Sequence, residues 1–189
     1  MEINQTKEKN IYIVLTQSGS IISRFLKIFT KDDYNHVSIC TSSDLNKMYS
    51  FGRKYSYYPF WSGFIAESTE WGSFKRFSET QAIVLSLPVT RSQYTKIKSE
   101  IKQMLKRKNI YRYNYLGLVL ASIKIQKKAK NRYYCSEFVK ELLLISGIDG
   151  AENLPKITKP IHFLEFPNTS EIYKGRLRDF THSKKTVHI

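Results

Sequence analysis

Acidic residues are scarce in this chain. Sixteen Asp and Glu stand against 31 Lys and Arg in 189 residues, a net charge of +15. That balance points away from cationic partners and toward anionic ones: a phospholipid surface, an acidic polymer or nucleic acid. The cations are spread along the chain, with clusters at 102–108 and 124–132. Neither cluster has the interleaved aromatics and glycines of a nucleic-acid module, so nucleic acid is not expected as a partner. General solubility is the competing reading of the charge. Cysteine is scarcer still. Two cysteines make no disulfide framework, and no Cys/His spacing matches a metal site, so both are expected to be reduced thiols. Long apolar runs are missing too. The longest, Leu116 to Ile125, is interrupted by Ser122 and Lys124 and has about half the ~20 residues a membrane span needs. There is no Walker loop, no GxGxxG and no HExxH, and no cofactor or metal is expected. Met1 to Gln5 lacks the basic start and apolar core of a secretion signal. The expected location is cytoplasmic, with association to a membrane surface as an option that the charge leaves open.

What is present describes a folded globule. Hydrophobic residues make up 41% and aromatics 14% of the chain. The length suits one domain over 1–189, with 1–10 and 179–189 as loose tails. Ile11 to Leu15 reads as a buried strand. Ser18 to Ser20 caps an amphipathic helix through Phe29 with Ile21, Ile22, Phe25, Leu26 and Phe29 on one face. His36 to Cys40 and Met48 to Phe51 read as a hairpin around Asp44 to Lys47. The aromatic stretch Gly52 to Gly63 reads as a loop, Phe64 to Glu67 as a strand, and Ala82 to Leu87 as a strand stopped by Pro88. Thr90 to Gln93 has the form of a capping box, opening a helix with Tyr94, Ile97, Ile101, Met104 and Leu105 inward. A short helix from Pro160 to Leu164 and a strand over Glu171 to Leu177 follow. Both strands and helices are expected, and the expected fold class is α+β.

One cysteine carries chemistry in its placement. Cys135 sits in Tyr133-Tyr134-Cys135-Ser136-Glu137-Phe138-Val139, after the basic loop Lys127 to Arg132. Phe138, Val139, Leu142 and Leu143 then recur at helical spacing until Gly147. A cysteine in the first turn of such a helix meets unpaired backbone N–H groups and the positive end of the helix dipole, which favour the nucleophilic thiolate. A cysteine before an apolar helix is equally at home as a core residue, and Cys40 at a strand end reads that way. Glu137 in the same turn reads as a partner of the helix dipole.

Nucleophilic cysteine chemistry requires a neighbouring base, most often histidine. Four histidines are available. His182 and His188 lie in the tail, and His162 falls in a short helix pattern. His36 opens a strand directly after the polar turn Asp32 to Asn35, where it can face a cleft from a firm support. On its own it also reads as a structural histidine.

The order of these features is informative. A strand and an amphipathic helix lead to Tyr34-Asn35-His36-Val37; a hairpin follows, and much later the Tyr-Cys-Ser-Glu-Phe-Val run. This resembles the circularly permuted papain-like hydrolases, the YiiX-like relatives of the NlpC peptidases, over about Ile11 to Leu164. In that group the histidine strand precedes the cysteine helix, as here. The resemblance implies a permuted papain-like fold, an antiparallel sheet packed against the nucleophile-bearing helix. It implies Cys135 as nucleophile and His36 as general base. A third polar residue on a strand paired with the histidine strand orients the imidazole in this group; the matching position falls near Ser50, where many members carry glutamate, and Glu67 on the next strand is the alternative. The implied activity is a thiol hydrolase or acyltransferase, acting on an amide, thioester or ester of a small-molecule, peptide or lipid substrate without a cofactor. Tyr34, Tyr55, Tyr57, Tyr58, Phe60 and Trp61 would line the cleft, or else pack their loop onto the sheet. The competing class is a basic protein that docks on anionic membrane or nucleic acid and catalyses nothing. Oligomeric state is not legible.

Overall fold

The computed structural model describes residues 7–17, 33–55 and 58–180. The expected helix over 18–29 and the histidines at 182 and 188 lie outside them. Among the described residues a six-stranded antiparallel sheet runs β4-β3-β2-β1-β5-β8. Its strands are β1 (Lys7–Gln17), β2 (His36–Cys40), β3 (Met48–Tyr55), β4 (Tyr58–Glu67), β5 (Gln81–Thr90) and β8 (Ser170–Arg176). A two-residue parallel pairing of β6 (Arg112–Tyr113) with β7 (Arg132–Tyr133) lies apart from it. The helices are α1 (Gly72–Arg76), α2 (Arg91–Lys106), α3 (Tyr115–Ser122) and α4 (Cys135–Ile145), with 3-10 turns at Ala151–Asn153 and Pro160–Glu165. The architecture is α+β, as expected.

Alternation along the central strands divides the core in two, because successive side chains of a strand face opposite ways. Ile11, Ile13, Leu15, Val37, Ile39, Phe51, Leu85 and Leu87 join the main cluster with Ile97 and Ile101 of α2 and Phe138, Val139, Leu142 and Leu143 of α4. Val14, Cys40, Met48 and Val84 join a smaller cluster on the other face, closed by Phe74, Leu177 and Phe180. Phe51 sits at the centre of an aromatic group, with the rings of Tyr133, Phe138 and Phe64 at centroid distances of 5.2, 5.4 and 5.7 Å. This group ties β3 to the entry of α4 and so fixes where the helix begins.

The β2–β3 hairpin forms as the turn residues imply. Leu45 takes a left-handed φ of 50°, and the Asp44 carboxylate accepts the Asn46 backbone N–H at 3.1 Å. The capping box at Thr90 is also present, with Gln93 N–H on Thr90 Oγ1 at 3.2 Å and Thr90 N–H on Gln93 Oε1 at 2.9 Å.

Several boundaries differ from the sequence reading. The segment Gly52 to Gly63 is not a loop over its described residues: β3 runs on to Tyr55 and β4 starts at Tyr58, the two pairing with Gly52 opposite Gly63. Aromatic residues have strand propensity, and in this segment it prevails over the loop-like composition. Pro88 does not stop β5. Pairing with β8 ends at Ser86, so beyond it β5 has an open edge that tolerates a missing N–H. Lys7 to Asn10 is not a tail but the start of β1, paired with the end of β5. At the other end Phe180 is 4% exposed within the smaller core, so 179–180 is not frayed. Leu105 is 37% exposed and does not join the buried face of α2.

Removing the Phe51 ring leaves a cavity among the rings of Tyr133, Phe138 and Phe64, and Phe51→Ala is expected to cost about 3–5 kcal/mol in urea denaturation. A loss under about 1 kcal/mol would show that the aromatic group does not hold α4 to the sheet.

Candidate active site

Cys135 is the first residue of α4. The chain arrives extended at Tyr134 (φ −96°, ψ 169°), and the first helical bond runs from Phe138 N–H to Tyr134 O at 3.0 Å. The Cys135 N–H therefore has no partner inside the helix. The turn is braced on both sides. Ser136 Oγ donates to Thr158 O at 2.7 Å, and Tyr134 N–H reaches Glu137 Oε2 at 3.4 Å. Burial raises the Glu137 pKa, opposed by its bonds to Tyr134 N–H and Asn114. Glu137 thus serves as a cap of its own helix. Cys135 is buried, at 5% exposure.

His36 opens β2, 17% exposed at its side chain. Its Nε2 lies 3.0 and 3.1 Å from the two carboxylate oxygens of Glu67, at the end of β4. Ser38, two residues along the same strand, donates its hydroxyl to Glu67 Oε2 at 2.6 Å and lies 3.3 Å from Nε2. The Cys135 thiol is a neighbour of this imidazole, close enough to act on its pKa. With Nε2 against Glu67, Nδ1 is the ring nitrogen left for sulfur. Burial alone would depress the His36 pKa; the Glu67 charge, the neighbouring Cys135 and the bond to Glu67 outweigh it and carry the value from 6.5 to about 10. At neutral pH the ring is an imidazolium.

Gly52 makes room for this arrangement. A Cβ there would stand 2.9 Å from Ile65 Cδ1 and 3.6 Å from both the His36 ring and the Glu67 carboxylate. A lone glycine inside a strand marks such a close approach.

The residues expected to act together are thus partly together. Cys135 and His36 meet across 99 positions of chain. Ser50 does not join them, which corrects the first choice of orienter: its hydroxyl donates to Val37 O at 3.0 Å and is fully buried. Glu67, the alternative, holds the ring. A carboxylate can neutralise an imidazolium and a serine hydroxyl cannot. Ser38 was missed, although its position two residues from His36 on one strand face is the signal that finds it. Tyr113 was also missed. It is buried, its pKa is pushed well above 10 by burial and then by the neighbouring Cys135, and the β6–β7 pairing helps to bring it there. His162 has a packing role, accepting the Lys159 N–H on Nδ1 at 3.1 Å. Cys40 is core: its thiol donates to Lys47 O at 3.0 Å, and burial pushes its pKa up to about 11. Of the aromatics proposed for the cleft, Trp61 is 66% exposed and Tyr34 packs against the main core. The side chains at 55 and 57–60 lie outside the described residues.

No family model matches this chain, and no curated protein matches it. Its fold is similar to that of the metalloprotein YiiX from Escherichia coli O157:H7, with a TM-score of 0.56 and 15% identity over 89% of this chain and 98% of that one. The likeness establishes a YiiX-like fold. Among the described residues no group of three or more His, Cys, Asp or Glu side chains could hold a metal ion. His36 Nε2 and the Glu67 carboxylate are turned on each other and on Ser38, so these described residues do not fit a metal centre. Among the described residues no helix is long and apolar enough to cross a membrane.

The raised His36 pKa sets a pH dependence. Protonation of this ring stabilises the fold fully below pH 6.5, and that contribution is lost as pH rises through about 10. The stability gap between wild type and His36→Asn should therefore narrow across that window. The His36 ring resonances should titrate well above 6.5 by NMR, and Glu67→Gln should bring the midpoint down by more than about one unit. A His36 midpoint near 6.5 in the wild type would contradict the ion pair.

Proposed function

We propose that the protein is a thiol-dependent hydrolase or acyltransferase with a permuted papain-like arrangement, in which Cys135 is the nucleophile, His36 the general base and acid, and Glu67 the residue that orients and charges His36. The observation that carries this reading is the His36 ring bound on Nε2 by the Glu67 carboxylate with the helix-N-terminal Cys135 thiol as its neighbour. Such a ring stabilises an anionic sulfur beside it and keeps a proton ready for a leaving group.

In this reading the proton of Cys135 rests on His36, and the sulfur adds as the anion to the carbonyl carbon of an amide, thioester or ester. The carbonyl oxygen takes up the displaced electron pair and is met by the unpaired Cys135 N–H at the helix start. The tetrahedral species collapses as His36 gives its proton to the departing amine, thiol or alcohol. Water or another acceptor, deprotonated by His36, then attacks the carbonyl carbon of the acyl-sulfur bond, breaks the bond to sulfur and releases the acid or the transferred acyl product, restoring the anionic sulfur beside the protonated ring. Glu67 compensates the charge of the imidazolium. Ser38 holds the second carboxylate oxygen and fixes its direction. The substrate is a small-molecule, peptide or lipid acyl compound, and the place of action is the cytoplasm, at or near a membrane surface.

Alkylation tests the assignment without knowledge of the substrate. At neutral pH iodoacetamide should modify one thiol quickly, and Cys135→Ala should abolish that phase while Cys40→Ala leaves it intact. His36→Asn should slow it by at least about tenfold, as loss of a partner base does. Ser50→Ala, whose hydroxyl serves only a backbone carbonyl, should leave it unchanged. Equal slow modification of Cys135 and Cys40 would refute the nucleophile.

A further inference from the structure

Between Glu100 and Glu137 the chain has no acidic residue and ten Lys and Arg. All ten are exposed. The same stretch contains α3, whose outward side is aliphatic: Leu116 is 55%, Val119 63% and Ile123 63% exposed. These lie at i, i+3 and i+7, one face of a helix and its C-cap. Ile125, 50% exposed, extends the ridge beyond the helix end. The turn between them is a Schellman closure, with Ile125 N–H on Leu120 O at 2.9 Å and Lys124 N–H on Ala121 O at 3.0 Å. It forces Lys124 to a φ of 63°, a conformation usually left to glycine, and so sets a cation between two exposed isoleucines.

We infer that this ridge is a docking surface for an anionic lipid bilayer. An amphipathic element with aliphatic residues outward and lysines and arginines around them partitions into the headgroup boundary of negatively charged membranes. At eight residues α3 is far too short to span one. A second copy of the chain is disfavoured as the occupant, because the two faces would bring like charges together. Nucleic acid is disfavoured because the exposed apolar groups are aliphatic, not the aromatic platforms on which bases stack.

The surface is attached to the candidate active site. Asn114, which caps α3 by accepting Gly117 N–H at 3.0 Å, donates its own backbone N–H to Tyr133 O at 3.0 Å, two residues before Cys135. Its side-chain amide holds the basic loop through Lys127 O at 3.1 Å. Docking on a bilayer would thus bring the α4 entry close to lipid acyl groups. The docking inference itself does not depend on the catalytic reading.

Vesicle flotation with the full chain tests it. The protein should float with phosphatidylcholine vesicles containing about a third phosphatidylserine and remain unbound with phosphatidylcholine alone, and half-molar salt should weaken binding, since headgroup attraction falls off within a Debye length. Leu116→Asp with Ile123→Asp should weaken binding at least tenfold, and so should Lys124→Gln with Lys127→Gln and Lys130→Gln. Circular dichroism and the Cys135 alkylation rate should be unchanged in both variants, which separates lost docking from lost folding and from failure of the catalytic reading. No flotation with anionic vesicles overturns the inference. So does flotation unaffected by the aspartates, which would mean charge alone, and so does capture by heparin or DNA in the absence of vesicle binding.

Discussion

A carboxylate and an imidazole enclosed together between strands either share a charge or are costly to bury, and in this protein the geometry dictates the shared charge. Both oxygens of Glu67 lie within 3.1 Å of His36 Nε2, and Ser38 satisfies one of them again. Each isolated ion would carry a desolvation penalty of several kcal/mol. Paired and hydrogen-bonded, they hold the ring in one orientation, with one nitrogen committed. The Cys135 thiol then meets a ring that is charged, fixed and able to release a proton. The chemistry open to sulfur follows from that pair.

The sheet delivers these groups from distant parts of the chain. β2 supplies His36 and Ser38, β4 supplies Glu67, and α4 is pressed onto the sheet by the ring cluster around Phe51 so that its first residue lands on the imidazole. The β6–β7 pairing then ties the aliphatic ridge of α3 to the same helix entry. An acyl-transfer site and a lipid-facing surface would therefore form one rigid neighbourhood, and the excess of basic residues would have a location as well as a magnitude.

Much of this is legible in the residues. The helix after Cys135 shows in the spacing of Phe138, Val139, Leu142 and Leu143, and the strand after His36 in its β-branched run. The hairpin turn shows in Asp44 to Lys47 and the α2 start in Thr90 and Gln93. Other features depend on tertiary context that a linear reading does not contain. Ser50 looked suitable as the orienter because it lies on the strand next to His36, yet its hydroxyl is taken by a backbone carbonyl. Glu67 reaches the ring from one strand further away, across a glycine. The aromatic stretch 52–63 reads as a loop by composition, but cross-strand pairing makes its described residues two strands. Pro88 ends a strand in isolation and is accommodated where β8 has already stopped.

The central claim is that Glu67 acts on Cys135 through His36. A double-mutant cycle on the second-order rate of Cys135 alkylation at pH 7 measures that coupling directly. The account predicts that Glu67→Gln slows the reaction in the wild type and has no further effect in His36→Asn, so that the double variant matches the His36 variant. Additive losses from the two substitutions would mean that the carboxylate influences the thiol by some route other than the imidazole, and would contradict it.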